Sequence, residues 1–479
     1  MNQDAERTRM VVQEVEWASF GDARLKYRAQ RIAKAVAAQP ALSFPQALAT
    51  EAELEGLYRF FRNDKVTPET ILQPHVAATV QRIAEHKEAL AVHDNTEFRF
   101  SGQGREGLGK VGRTGNGFMA QFCLALASDG TRDPLGILDV DHWVRTGKSA
   151  TQKRKKDPNR YKQLRTQPSE QDRWFEMVER AEQRVGDKAS LIHLMDSEAD
   201  DYLLLWKLQS RGRRFVMRLC FDRALDSEAT GSLPGEKTRQ FVARAEALAT
   251  RHVKLARRRK HFILVRSRTA PRPPRLTTLS YSARTVVVRR PALCPQQAAE
   301  TLSLNIVAVS EKKPPKGLEP VDWLLLTSEP ISTEEEILKV VDAYRARWTI
   351  EEYFGALKSG CAFEDRQLES KSTILKALAL FTPVAWALLR MRTLSRLSRQ
   401  TPIGRVLSLT QIKIIRKKTG IPLRKNSSVQ DALLAVARLG GHLKHNGAPG
   451  WRVLGRGYTQ LLTLEIGFKI AKSERSDQW

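Results

Sequence analysis

The sequence predicts an α/β protein, with a mixed three-layer core, a β-rich insertion and helical regions at both ends. Three observations predict it. Residues 89–94, 119–127 and 134–144 (ALAVHD, MAQFCLALA, PLGILDVDHWV) are short apolar runs separated by Gly-rich or Asp-Gly turns, the pattern of a strand meander. A further apolar run, ASLIHLMD at 189–196, follows a helical stretch and leads into helix-like YLLLWKLQS and then RRFVMRLC. Helical composition dominates the first 70 residues and the last hundred or so.

In chain order, residues 25–38 are rich in Ala, Arg and Lys, and EAELEGLYRFFRND begins a second helix at Glu51. Arg24, Arg28, Arg59 and Arg62 make residues 1–70 a small basic module, which can equally be a solvated helix face. The meander follows, then a basic, Gln-rich connection and a helix around 171–184. Residues 221–319 hold β-like segments (HFILV, RTVVVRR, TLSLNIVAVS) joined by Pro- and Arg-rich links such as RTAPRPPR, and form the insertion. After DWLLLTSEP, the run STEEEILKVVDAYRARWTIEEYFGALKSG opens with capping-box spacing, Ser332 to Glu335, and reads as one helix. Residues 71–375 thus make the central domain, and 376–479 a helical C-terminal domain broken by Gly and Pro.

The chain has 479 residues, with Lys plus Arg at 80 against 53 Asp plus Glu, a net charge of +27. That surplus favours a polyanionic partner, nucleic acid ahead of a membrane surface. The longest largely apolar stretch, residues 377–389, is 13 residues and interrupted by Thr382 and Pro383, so no membrane span is expected. No apolar leader opens the chain, and the four cysteines, Cys123, Cys220, Cys294 and Cys361, form no CxxC. The expectation is a cytoplasmic protein without a disulfide framework or zinc ribbon.

Two motifs tempt and fail. SGQGREGLGKVGRTGNG contains GxGxxG at Gly102, Gly104 and Gly107, but glycines and a strand follow where a dinucleotide site needs a helix. It also nearly completes a phosphate loop ending at Lys110, yet Val111 stands where a magnesium-holding hydroxyl belongs. A hairpin loop is the better reading. His442 and His445 have ligand-like spacing without cysteine or carboxylate partners nearby.

The carboxylates fit together better. Asp94 ends one strand-like run and Asp196 another, a common way to deliver metal ligands because the ladder fixes the backbone while the loop leaves the side chain accessible. Along the helix after 332, about 100° per residue puts Tyr344, Arg347, Glu351 and Lys358 on one stripe, within about 60° of arc. Such a face can be a salt-bridged surface or a metal ligand flanked by phosphate clamps.

YRARWTIEEYFGALK matches Y-x2-R-x3-E-x6-K and resembles the signature of the IS-four family of bacterial DDE transposases. The likeness continues in YRFFRN, the Gly-Lys-Val-Gly stretch, RFVMR with Arg218, WLLLTSEP with Trp323, and ARLGG, in collinear order over almost the whole chain. Two positions depart from a close relative: Ser197 replaces an arginine and Gly355 a lysine.

The resemblance implies an RNase H-like catalytic core, a helical N-terminal module that reads transposon ends through residues such as Arg24, Arg28, Arg59 and Arg62, and a helical C-terminal region for homodimerisation on DNA. It implies that Asp94, Asp196 and Glu351 are the catalytic, metal-holding triad for two Mg²⁺ or Mn²⁺ ions about 3.5–4 Å apart. Tyr344, Arg347, Lys358 and Arg218 would contact phosphates, and Trp323 would stack a flipped base. The implied chemistry is strand cleavage through a DNA hairpin, then joining of 3′ ends to target DNA, in a bacterial, nucleoid-associated enzyme. A catalytically silent DNA-binding derivative and a nuclease without strand transfer remain as alternatives.

Overall fold

The computed structural model describes residues 20–145 except 49, 103, 113 and 114, then 170–255, 273–397, most of 402–443, and Glu14 with scattered positions between 449 and 468. The chain forms two compact units: Met1–Lys87 with Asn95–Gly147 and Thr349–Trp479, and Glu88–Asp94 with Lys148–Trp348. It is a mixed α/β protein whose strands are mostly antiparallel.

In the first unit, α1 (Ala23–Ala38) starts where Asp22 accepts the Arg24 amide at 2.7 Å and buries Leu25, Ala29, Ile32 and Val36. The short α2 (Phe44–Ala47) leads to α3 (Glu51–Arg62), capped by Thr50 and burying Leu57, Phe60 and Phe61. The α4 helix (Pro68–His86) has proline at its first position, where no amide partner is needed. Strand β1 (Glu88–Phe100) begins in the second unit and ends in the first. A hairpin joins β2 (Gly109–Val111) to β3 (Gly115–Ala127), and β4 (Pro134–Trp143) pairs antiparallel with β3 over Met119–Leu126. Gly117 permits the approach of β3 to β1: a Cβ there would lie 1.8 Å from the Phe98 carbonyl oxygen.

The second unit contains α5 (Glu170–Val185), β5 (Ser190–Met195), α6 (Tyr202–Ser210), β6 (Arg214–Arg218), β7 (Ala249–Leu255), β8 (Arg275–Arg289), β9 (Thr301–Glu311), β10 (Asp322–Thr327) and α7 (Glu334–Ala346). Its strands run in the order β1-β5-β6-β10-β9-β8-β7. The first three are parallel, as strands joined through helical crossovers must be, and the remainder are antiparallel. Trp174, Val178, Leu205, Phe215, Val288 and Leu326 share its core.

The first unit resumes with α8 (Thr349–Gly355), a π-turn over Ala356–Gly360, α9 (Lys371–Leu397), α10 (Leu409–Thr419) and α11 (Val429–Leu439). Buried cations fasten its N-terminal helices. Arg366 donates to the carbonyls of Pro40 at 2.6 Å, Cys361 at 2.5 Å and Leu42, with its guanidinium over the Phe381 ring. Lys376 donates to Phe61 and Asn63 at the C-terminal end of α3, where orphan carbonyls favour a cation.

Several expectations need correcting. The capping box is Thr333–Glu336, one residue later than Ser332–Glu335: STEEE offers both registers, and the Glu336 carboxylate accepts the amides of both Ser332 and Thr333. The helix after 332 is not continuous. The α7 helix ends at Ala346, residues 347–348 turn, and α8 begins at Thr349, so a single angular stripe through Tyr344, Arg347, Glu351 and Lys358 does not hold. The Arg347 amide bonds back to Tyr344, a tightened last turn, and the π-turn shifts the phase again before Lys358. Asp94 lies within β1 rather than at its end, because Phe98 and Phe100 extend the buried alternation.

Pro383 does not interrupt α9, which also runs through residue 375, where the sequence placed a domain border. Lys371–Arg390 is therefore long and apolar enough to cross a membrane, although 83% of its window is buried inside the protein. The insertion adds two short helices, Ser227–Thr230 and Thr238–Ala243, to its strands. HFILV, the basic run 153–162, most of 251–275 and His445 lie outside the described residues.

Candidate functional site

Two carboxylates meet on the parallel strands of the second unit. The β1/β5 register runs to Val92 and Leu194. Continued by two residues, that register would bring Asp94 and Asp196 to the same face at about one strand spacing, ~4.8 Å. Asp94 is buried, while Asp196, just past the end of β5, is half-exposed and accepts the Glu198 amide at 2.8 Å through Oδ1. That bond closes an Asx turn, which orients the carboxylate.

The end of α7 brings polar groups to this face. Arg347 donates to Asp94 Oδ2 at 2.6 Å, and its guanidinium lies 5.9 Å from the Tyr344 ring centroid. Tyr344 in turn meets Trp323 edge to face at 5.9 Å, and Arg218 lies 6.0 Å from the indole centroid. Burial pushes the Tyr344 hydroxyl above its usual range, the cations of Arg347 and Arg218 pull it down, and Asp196 pushes it up. The phenol thus stays protonated as a hydrogen-bond donor. Asp94, Asp196, Tyr344, Arg347, Arg218 and Trp323 form one cluster, in which two carboxylates are matched by two guanidinium groups.

Glu351 and Lys358 belong to the first unit. Glu351 is exposed in the first turn of α8. Lys358 donates to the Glu97 carbonyl at 2.6 Å, and its ammonium lies 5.2 Å from the Phe98 ring centroid. Burial lowers its pKa while Glu364 opposes that shift. Arg24, Arg59 and Arg62 are exposed on α1 and α3 and Arg28 is half-buried; Arg59 pairs with Glu55 one turn earlier. These helices present a basic surface without a defined binding geometry.

Among the described residues, no three His, Cys, Asp or Glu side chains gather into a metal cage. The donor chemistry still fits a hard divalent ion: Asp94 and Asp196 offer only oxygens, and the Arg347 contact marks Asp94 as a place where positive charge is favoured.

One feature of the cluster went unread in the sequence. Directly behind Asp94, His93 Nε2 lies 2.8 Å from His193 Nδ1, and His193 Nε2 lies 2.9 Å from Glu182 Oε1 on α5. Complete burial pushes His93 well below the usual histidine range, so it is neutral. The tautomers that satisfy both bonds pass donors in one direction, His93 to His193 to Glu182, and tie α5 to β1 and β5. The signal was a histidine in each strand, one residue before Asp94 in VHD and three before Asp196 in HLMD.

Two family models match the chain: Transposase DNA-binding over residues 8–66 and Transposase DDE domain over residues 143–382. The first range includes Arg24, Arg28, Arg59 and Arg62, and the second includes Asp196, Arg218, Trp323, Tyr344, Arg347, Glu351 and Lys358, with Asp94 preceding it.

Proposed function

Because the chain belongs to the DDE transposase family, whose catalytic domain matches half its length, we propose that it is a cut-and-paste enzyme that cleaves transposon ends through hairpins and joins them to target DNA. DNA binding and DNA transposition belong to the coarser family reading. The observation that carries the finer one is Asp94 in β1 and Asp196 just past the end of the adjacent parallel strand β5, with Arg347 bonded to the first.

DDE transposase domains generally use divalent metals. Asp94, Asp196 and Glu351 would hold two such ions, Mg²⁺ or Mn²⁺, which when bound supply activation of the attacking oxygen and stabilisation of the leaving one. The remaining work falls to the chain's own groups. Arg347 neutralises charge beside Asp94 and orients the scissile phosphate, Tyr344 donates its hydroxyl to a phosphate oxygen, and Arg218 clamps a neighbouring one. Hairpin formation strains the duplex, and the half-buried face of Trp323 accepts a base turned out of the stack. Lys358, anchored on the Glu97 carbonyl, adds positive charge near Glu351. An RNase H-like core with a β-rich insertion is supported by the parallel β1-β5-β6 pairing and the antiparallel β7–β10 run. The basic helices of residues 1–70 would read the ends, and residues 376–479 would pair two copies on DNA.

The test uses duplexes carrying the element's terminal inverted repeats, with Mg²⁺. Asp94→Ala, Asp196→Ala and Glu351→Ala should each abolish cleavage and hairpin formation while binding to end DNA is retained. Cleavage that survives any one substitution removes that residue from the triad. Nicks without hairpins or joined products would identify a nuclease, and binding without any cutting by the unaltered protein a silent derivative.

A further inference from the structure

Asp200 is 1% exposed and lies four residues after Asp196 on the turn that leaves β5. Its carboxylate is fully engaged. Oδ2 accepts the backbone amides of Cys220 at 2.5 Å and Phe221 at 2.8 Å, and Oδ1 is bonded and ion-paired to Arg223, itself 6% exposed. Burying a carboxylate is costly unless donors replace its water, and here three donors do so. The partners all come from the segment immediately after β6, the strand that ends at Arg218.

The carboxylate therefore clamps two loops. One carries Asp196: its own turn is closed by bonds from Glu198 N–H to Asp196 Oδ1 and from Ala199 N–H to the Asp196 carbonyl, and Asp200 is the next residue. The other carries Arg218 two residues before the Cys220 amide, with Leu219 N–H held by the Leu324 carbonyl beside Trp323. The β5–β6 ladder ends at Met195 and Met217, one residue before Asp196 and Arg218, although Arg218 stays paired with Leu325 of β10. Beyond that point the clamp is what ties one loop to the other.

Building on the transposase reading, we propose that Asp200 is a positioning residue for cleavage: it touches no substrate, and it fixes the Asp196 turn against the Arg218 segment. Groups that orient a first layer of functional side chains typically change activity by about 10- to 100-fold when altered. Asp200→Asn keeps the shape and one acceptor oxygen but turns an amide group toward donors. The loops should then lose their common reference while the strands remain.

The experiment compares Asp200→Asn with Leu205→Ala, a core substitution in α6 that leaves the clamp untouched, and with Asp200→Glu, which restores the charge at a longer reach. Three readouts are taken well below every melting temperature. These are hydrogen exchange of the Cys220 and Phe221 amides, affinity for end DNA in Ca²⁺, and the single-turnover cleavage rate in Mg²⁺ at saturating DNA. For Asp200→Asn the expected result is faster exchange at both amides, affinity within about threefold of the unaltered protein, and cleavage slowed about tenfold or more. Leu205→Ala should lower the melting temperature without these local effects, and Asp200→Glu should recover part of the rate. Unchanged amide exchange, or cleavage by Asp200→Asn equal to that of Leu205→Ala, overturns the proposal. If the unaltered protein does not cut end DNA, it is the transposase reading that fails, and amide exchange still decides whether the clamp exists.

Discussion

At the scale of single residues, the Asp94–Arg347 pair has the most at stake. The side chains are 9% and 12% exposed, so neither charge is well hydrated, and removing one takes this ion pair from the other. Breaking a buried pair in this way typically costs about 3–5 kcal/mol. Arg347→Gln should therefore lower unfolding free energy by about that amount, while the double substitution Asp94→Asn with Arg347→Gln should recover much of it. Denaturant melts of the four proteins measure the coupling; additive losses would show that the two groups do not support each other. Tyr344→Phe makes the opposite case. It retains the edge-to-face contact with Trp323 and loses only a hydroxyl, so stability should move by about 1 kcal/mol or less while cleavage falls. Equal loss of both would make the tyrosine a packing residue alone.

At the scale of elements, what was legible depended on how local the cause was. The α6 helix, β5, β6 and the helices α1 and α3 are specified by their own apolar spacing and caps, and the reading placed each within a few residues, whereas α2 and α4 went unread. The break between α7 and α8 was not legible: no Gly or Pro marks residues 347–348, and Arg347 there bonds Asp94, 253 residues away in sequence. Likewise Pro383 reads as a helix breaker, yet α9 continues through it because the helix is held on its buried faces. The joints are non-local as well: nothing in the sequence announces that Arg366 serves the carbonyls of Pro40 and Leu42. Arg366→Met would leave those buried acceptors unmet, at about 1–3 kcal/mol each, and should loosen the N-terminal helices first. Hydrogen exchange confined to α1–α3, ahead of global unfolding, is the expected sign, and uniform exchange would contradict it. Gly117→Ala tests a different joint. Its methyl would collide with the backbone at Phe98, which cannot swing aside as a side chain can, so a loss of about 1–3 kcal/mol or more is expected in a thermal melt.

At the scale of the whole molecule, the surplus of +27 and the acidic cluster pull in opposite directions. A polyanion is attracted by the many exposed cations, among them Arg24, Arg59, Arg62 and the Lys413, Arg416, Lys417 and Lys418 group on α10, but in the proposed reaction its phosphate would have to approach Asp94 and Asp196. These two effects separate with salt. Each phosphate neutralised releases counterions, so affinity falls as a power of salt with exponent about 0.9 times the number of contacts. With six to ten contacts, binding to end DNA should weaken about 10³- to 10⁵-fold between 50 and 200 mM salt. The carboxylates change the intercept, not the slope, because they release no DNA counterions. In EDTA, Asp94→Asn and Asp196→Asn should therefore bind end DNA more tightly than the unaltered protein at every salt concentration, along a parallel line. Removing cations, as in Lys413→Gln with Lys417→Gln, should make the line shallower by up to about two contacts if α10 meets DNA. An unchanged slope would take that helix off the DNA path, and a shift in slope from the aspartate variants would mean that their effect is not local repulsion of the phosphate.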